Sequence, residues 1–197
     1  MTRTVPLALL LILTSFCPGP AHASAPVFLM GEHPIWMGIG GSGGGSATEV
    51  GGVGHLSLTL GLRLVPVVPE LTIREGFASG PTRHVTGIAA GARFIFPETK
   101  GIRPFARVMF AHQHELEFPQ FKAEPAKALL GVQGDTTHRT GFELGGGIEA
   151  VFGKKRIFGL WVQGTAVVLP ATAGPDLYVL GEAGVSFAVG PRLPEGP

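Results

Sequence analysis

Cysteine is nearly missing: the 197 residues hold one, Cys17. A single thiol near the N-terminus allows no disulfide framework. Charge is scarce as well. Lys, Arg, Asp and Glu together make 15% of the chain, against about 25% in soluble domains. The formal net charge is +1, so no basic field marks a nucleic-acid partner. Long apolar runs are absent beyond the N-terminus. The most apolar later stretch, residues 157–169, is interrupted by Gln163 and is too short to span as a helix, which needs about 20 residues.

Glycine is plentiful instead, at 31 residues, and the mean hydropathy is +0.34. The N-terminus explains part of the apolar character. Arg3 supplies a positive start, residues 7–16 an apolar segment, and Ala21-His22-Ala23 a small-x-small cleavage site. A signal peptide over residues 1–23 is expected, with Ala25 as the alternative cleavage point. An uncleaved anchor would need the longer apolar run of a spanning helix. Acylation at Cys17 would want a small residue where Phe16 stands. The exported remainder is apolar yet has no second spanning helix. A closed β-barrel satisfies its backbone internally and can face lipid with strands of about 9–11 residues.

Period-two patterning supports that fold. In residues 53–65, Leu56, Leu58, Leu60, Leu62 and Leu64 fall on one side, and Ser57, Thr59, Gly61 and Arg63 on the other. Similar patterns run over residues 71–78, 84–96, 103–115, 138–152, 157–169 and 177–189, with a weaker one over 35–41. The expectation is an all-β, closed, antiparallel up-and-down barrel of about eight strands over residues 35–189. An N-terminal extension, 24–34, precedes it and a short tail, 190–197, follows. Residues 42–52 read as a flexible glycine-serine loop, and no Gly-Lys-Ser/Thr follows to make them a phosphate cradle. Residues 66–70, 79–83, 97–101, 153–156 and 170–176 read as turns or loops. The excursion from Leu116 to Thr137 is longer than ordinary loops, with a helical turn expected over residues 123–130. Short connections alternate with longer ones, as in barrels with short periplasmic turns and long outer loops.

The faces assign the chemistry. Leu56, Leu58, Leu60, Leu62, Phe94, Val108, Phe142, Ile148, Val162, Val185 and Phe187 are expected to face lipid. Arg63, Arg74, Arg93, Arg107, Glu143, Glu149 and Glu182 fall on the opposite face. An eight-stranded barrel is just wide enough for side chains to fill it, and unpaired buried charges are costly. An interior Arg–Glu network plugging the lumen is therefore expected, with a gated ion path as its functional alternative. The interior glycines Gly61, Gly87, Gly91, Gly145, Gly147 and Gly184 leave room for long side chains or mark bends. Trp36 and Phe105 read as interfacial anchors. His112 and His114, close to Glu115 and Glu117, have metal-ligand spacing. Rim histidines are expected to be solvated, and no metal or cofactor is assigned. His55 and Ser57 share a face, the pairing an acyl hydrolase would use, but no catalytic residue is assigned. His84 and His138 open their strands and are placed at the rim.

These residues together resemble the eight-stranded outer-membrane barrel families of the OmpA transmembrane-domain, OmpX and OmpW type. The resemblance covers about residues 35–189 and is architectural. It implies a structural, adhesive or small-solute role without catalysis. It also implies outer-membrane lipid and the barrel-assembly machinery as partners, and no peptidoglycan-binding domain. A surface partner would meet the 116–137 loop. Such proteins commonly end on an aromatic residue, whereas here residues 190–197 follow Phe187. Two alternatives invert or add to this reading. One is a secreted lipocalin-like barrel with leucines inside and an apolar ligand. The other is a lipid-modifying barrel enzyme using His55 and Ser57.

Overall fold

A computed structural model describes residues 33–46, 52–63, 67–78, 83–169 and 177–191. The expected signal peptide, nearly all of the extension 24–34, most of the tail and the loop 170–176 lie outside the described residues. Eight antiparallel strands form the wall: β1 (Ile35–Ser46), β2 (Gly52–Leu62), β3 (Val67–Ala78), β4 (Arg83–Ile95), β5 (Ile102–Glu117), β6 (Thr137–Phe152), β7 (Phe158–Val168) and β8 (Leu177–Val189). Each pairs with its chain neighbour, and β1 pairs with β8 to close the cylinder. Closure removes every sheet edge. Between β5 and β6 lie two short helices, α1 (Phe118–Ala123) and α2 (Pro125–Leu129).

Period two decides what each side of the wall carries. Leu58, Leu60 and Leu62 are exposed on the outside, whereas Arg63 and Arg93 are each only 3% exposed. Of the residues expected on the apolar face, Leu56, Phe94, Val108, Phe142, Ile148, Val162 and Phe187 are likewise exposed, and Val185 is half-buried on the same outward row. The inverted arrangement of a lipocalin-like barrel, with leucines inside and arginines outside, does not occur.

The two ends differ. Ile35 and Val189 pair at one end, together with the turns 96–101 and 153–157. The turn after β4 is tight because Lys100 and Gly101 both take positive φ, 52° and 81°. Thr99 and Ile102 exchange two backbone hydrogen bonds of 3.0 Å across it, the geometry of a two-residue hairpin turn. The helices lie at the other end.

Several boundaries depart from the sequence expectation. The glycine-serine stretch is strand as far as Ser46, paired on both sides, with Gly44 opposite Val53 and Leu180. A Cβ on Gly44 would collide with the Val179 carbonyl, so glycine here permits close strand approach rather than a loop. Residues 67–70 are strand despite Pro66 and Pro69. Pro69 points outward, and its neighbour Glu70 points inward, 4% exposed. β5 runs on through Leu116 and Glu117, and the helical turn expected at 123–130 is instead the pair α1 and α2.

Candidate functional site

Inner-row residues recur at every second position, so neighbouring strands bring their polar side chains together in layers. Near the end that holds the strand termini, Arg93 is the centre. Its guanidinium carbon lies 4.2 Å from the Trp36 ring centre and 4.1 Å from that of Phe105. Its Nε is 2.6 Å from Glu70 Oε1. Trp36 Nε1 donates to Glu149 Oε1 at 2.7 Å, Ser186 Oγ donates to the same oxygen, and Arg63 stands 3.9 Å from the other oxygen. Trp36 and Phe105 are thus not interfacial anchors. They point inward and clamp a cation between their π faces, where desolvation strengthens the attraction.

Midway along the barrel, Arg74 bridges two carboxylates, Glu143 and, at 3.3 Å, Glu182. Thr165 donates to Glu182 at 2.8 Å. Arg107 donates to Thr72 at 3.1 Å and lies 3.8 Å from Glu143 and 3.9 Å from Glu70. All seven charged residues expected in the lumen are 4% exposed or less. The structure brings them together, but not only with one another: Arg93 is held by Glu70, which Pro66 and Pro69 had hidden in a presumed turn.

Nearer the loop end an apolar plug follows, made by Met109, Val167, Leu169 and Leu180 with Tyr178. Beyond it a second network closes the lumen. Tyr178 donates to Gln113, Gln113 donates to Glu115 at 2.8 Å, and Glu115 accepts from Arg139 at 2.8 Å and Arg83 at 2.7 Å. Interior voids beside Arg74 and beside Arg93 measure about 10 Å³ each, room for one water at most. The lumen is filled by side chains. Glu115, Arg139 and Arg103 escaped notice in the sequence, although their odd numbers put them on the inner rows. That same parity separates Glu115 from His112 and His114, which point outward.

His55 and Ser57 point into the lumen, 6% and 5% exposed. His55 Nδ1 lies 3.3 Å from Ser42 Oγ, and Ser57 Oγ has no hydrogen-bond partner. The expected pairing of His55 with Ser57 is therefore not made; the hydroxyl beside His55 is that of Ser42.

Among the described residues, a helix packs on the outer wall near the loop end. There α1 folds back on the strands. Phe121 stacks on His84 with ring centres 3.8 Å apart, and Phe118 meets Phe77 edge-on at 5.4 Å. His84, expected at the rim, lies there but is buried under α1 and touches Glu75. Between the helices and the barrel mouth, Arg83, Glu115, Glu117, Gln120, Asp135 and Thr137 line an open cavity of about 420 Å³. His112, His114 and His138 form a separate group on the outside of β5 and β6.

An apolar outside, a charged and filled inside, and eight strands closed in chain order decide the class of fold. It is the fold of small outer-membrane β-barrels. Three solved structures share it: Neisserial surface protein A (TM-score 0.55, 12% identity, covering 79% of this chain and 96% of that one); the N-terminal barrel domain of Pseudomonas aeruginosa OprF (0.52, 14%, 79% and 98%); and Yersinia pestis Ail in complex with a heparin analogue (0.50, 9%, 81% and 99%). At such identities the likeness is one of architecture. No family model matches the chain, and no curated protein matches it in sequence.

Proposed function

We propose that this protein is a small integral protein of the bacterial outer membrane with a structural or surface-interaction role. Its eleven-residue apolar set, from Leu56 to Phe187, meets lipid. Its lumen is a packed core of charges and holds no solute path. One observation carries this reading: large apolar side chains cover the outside while arginines and glutamates are buried inside. A soluble surface would carry far more charge, and lipid is the solvent that such an outside satisfies. The excursion between β5 and β6, folded on the outer wall near the mouth, is the surface that meets an external partner. The barrel-assembly machinery inserts the chain, reading the last strand despite the residues that follow Phe187.

Fractionation tests this directly. The protein should sediment with outer membranes, resist extraction by salt, and run at different positions on a gel before and after heating. Recovery as a detergent-independent soluble protein with no heat-dependent shift would overturn the proposal. Swapping the 118–136 segment for a short turn should preserve insertion and abolish any surface binding that the intact protein shows.

A further inference from the structure

Three histidines sit on one patch of the outer wall. His112 and His114 point outward from β5, and His138 from the start of β6, where it pairs directly with His114. One nitrogen from each lies within 4.8 Å of the others. His138 Nδ1 and His112 Nε2 are 3.5 Å apart. The ring centres of His114 stand 4.7 Å from both other rings. Nitrogens bound to one zinc ion at about 2.0–2.1 Å in tetrahedral geometry stand about 3.3–3.4 Å apart. One of the three distances is therefore already close to that of a coordinated set, and the others are no more than 4.8 Å.

The patch is built rather than accidental in three respects. The outward row of β5 is apolar through Val108 and Phe110, and that of β6 through Leu144 and Phe142, which packs edge-on against Phe110 at 5.8 Å; beyond them come His112 and His114 on β5, and Thr140 and then His138 on β6. The site therefore lies just past the apolar belt, where an aqueous cation can reach it. Second, Gly131, at φ 67°, lies against the His114 ring so closely that a Cβ would collide with it. The excursion covers one side of the cluster, and only glycine fits there. Third, His114 Nδ1 is buried without a hydrogen-bond partner. A buried polar nitrogen left unsatisfied calls for an occupant. Three imidazoles this close repel one another when protonated, whereas neutral imidazoles are good ligands for late first-row divalent metals.

We infer that His112, His114 and His138 form a surface site for a divalent transition-metal ion of the zinc class, with the remaining coordination position open to water or an external ligand. The ion would tie β5 to β6 at the base of the excursion and hold Gly131 and its neighbours against the wall.

The test uses untagged full-length barrel refolded in detergent and titrated calorimetrically with Zn²⁺. The expected result is one ion per chain. His138→Ala should weaken binding by at least about tenfold, the lower end of what losing even an outer-shell partner of a metal site costs. His33→Ala, at the opposite end, should leave it unchanged. Labelling of the wild-type protein with an imidazole-directed reagent gives a second readout that needs no variant. Zn²⁺ should reduce the labelling of the three histidines and leave that of His33 unchanged. Absence of stoichiometric binding, or equal labelling of the three with and without Zn²⁺, would overturn the inference. So would unchanged affinity in a His112→Ala/His138→Ala variant that keeps its heat-dependent gel shift.

Discussion

The two sides of one wall obey opposite rules. The inner row of β3 presents Glu70, Thr72 and Arg74; the outer row of the same strand presents Leu71 and Ile73. Inside, each charge is held by partners from other strands. Outside, Leu71 and Ile73 carry no polar group that needs a partner, and the outward Glu75 is held near the loop end by His84 and Thr86. The contrast shows that burial here does not mean apolar. A narrow cylinder has little room for water and cannot leave a charge alone, so its core is assembled from ion pairs. The cost of desolvating them is met only where geometry is complete.

The sharpest way to break the contrast is to remove one partner from the inside. Arg74→Ala leaves Glu143 and Glu182 buried without their shared cation. Breaking such a pair costs about 3–5 kcal/mol, read as earlier urea unfolding of the refolded barrel by gel shift. An unchanged midpoint would show that the interior charges are solvated after all. Placing a charge on the outside probes the other rule. Leu144→Arg, on the outer row of β6, should destabilise by about 2–4 kcal/mol, the cost of arginine near a bilayer midplane. A negligible effect would mean that this face meets water.

The loop end offers a milder test. Phe121→Ala removes the ring stacked on His84, and aromatic pairs contribute about 0.5–1.5 kcal/mol beyond their area. The barrel's unfolding midpoint should barely move, while protease cleavage within residues 118–136 accelerates. Equal cleavage rates would show that α1 is not held by that contact. The smallest effect concerns Glu98, in the turn after β4. Partial burial pushes its carboxyl up, but hydrogen bonds from Arg156 and Arg103 outweigh this and hold it below the ordinary carboxylate range. A depressed folded-state pKa means that its stabilisation is present above the ordinary value and lost as pH falls through the depressed one. Glu98→Gln should therefore narrow the stability difference between neutral and acid conditions slightly. Identical pH profiles would place Glu98 free in solvent.

Trp36 shows where sequence reading gave out. Its strand carries glycines at positions 38, 40, 41 and 43–45, so the pattern has few side chains with which to set the parity. Only Ile35, Met37 and Ile39 mark the outward row there, a short run beside which a tryptophan near a strand end looks like a girdle residue; its inward place beside Arg93 is fixed by pairing with β2 and β8. Glu70 was lost for a related reason. Two prolines three residues apart signal a turn, but on strand β3 Pro69 faces outward and leaves the inner row intact. His84 does open its strand at the rim, but nothing local announces that α1, thirty-odd residues onward, will cover it.

Alternation alone determined that this chain is a barrel, which way its leucines face and which charges share its interior, because strand periodicity is a property of neighbouring residues. Only the closed structure decided who pairs with whom: that Arg93 sits between Trp36 and Phe105 against Glu70, that Arg74 serves two glutamates, and that three histidines from two strands converge. Those outcomes depend on register and on the return of a distant segment, and neither is written in any single stretch of chain.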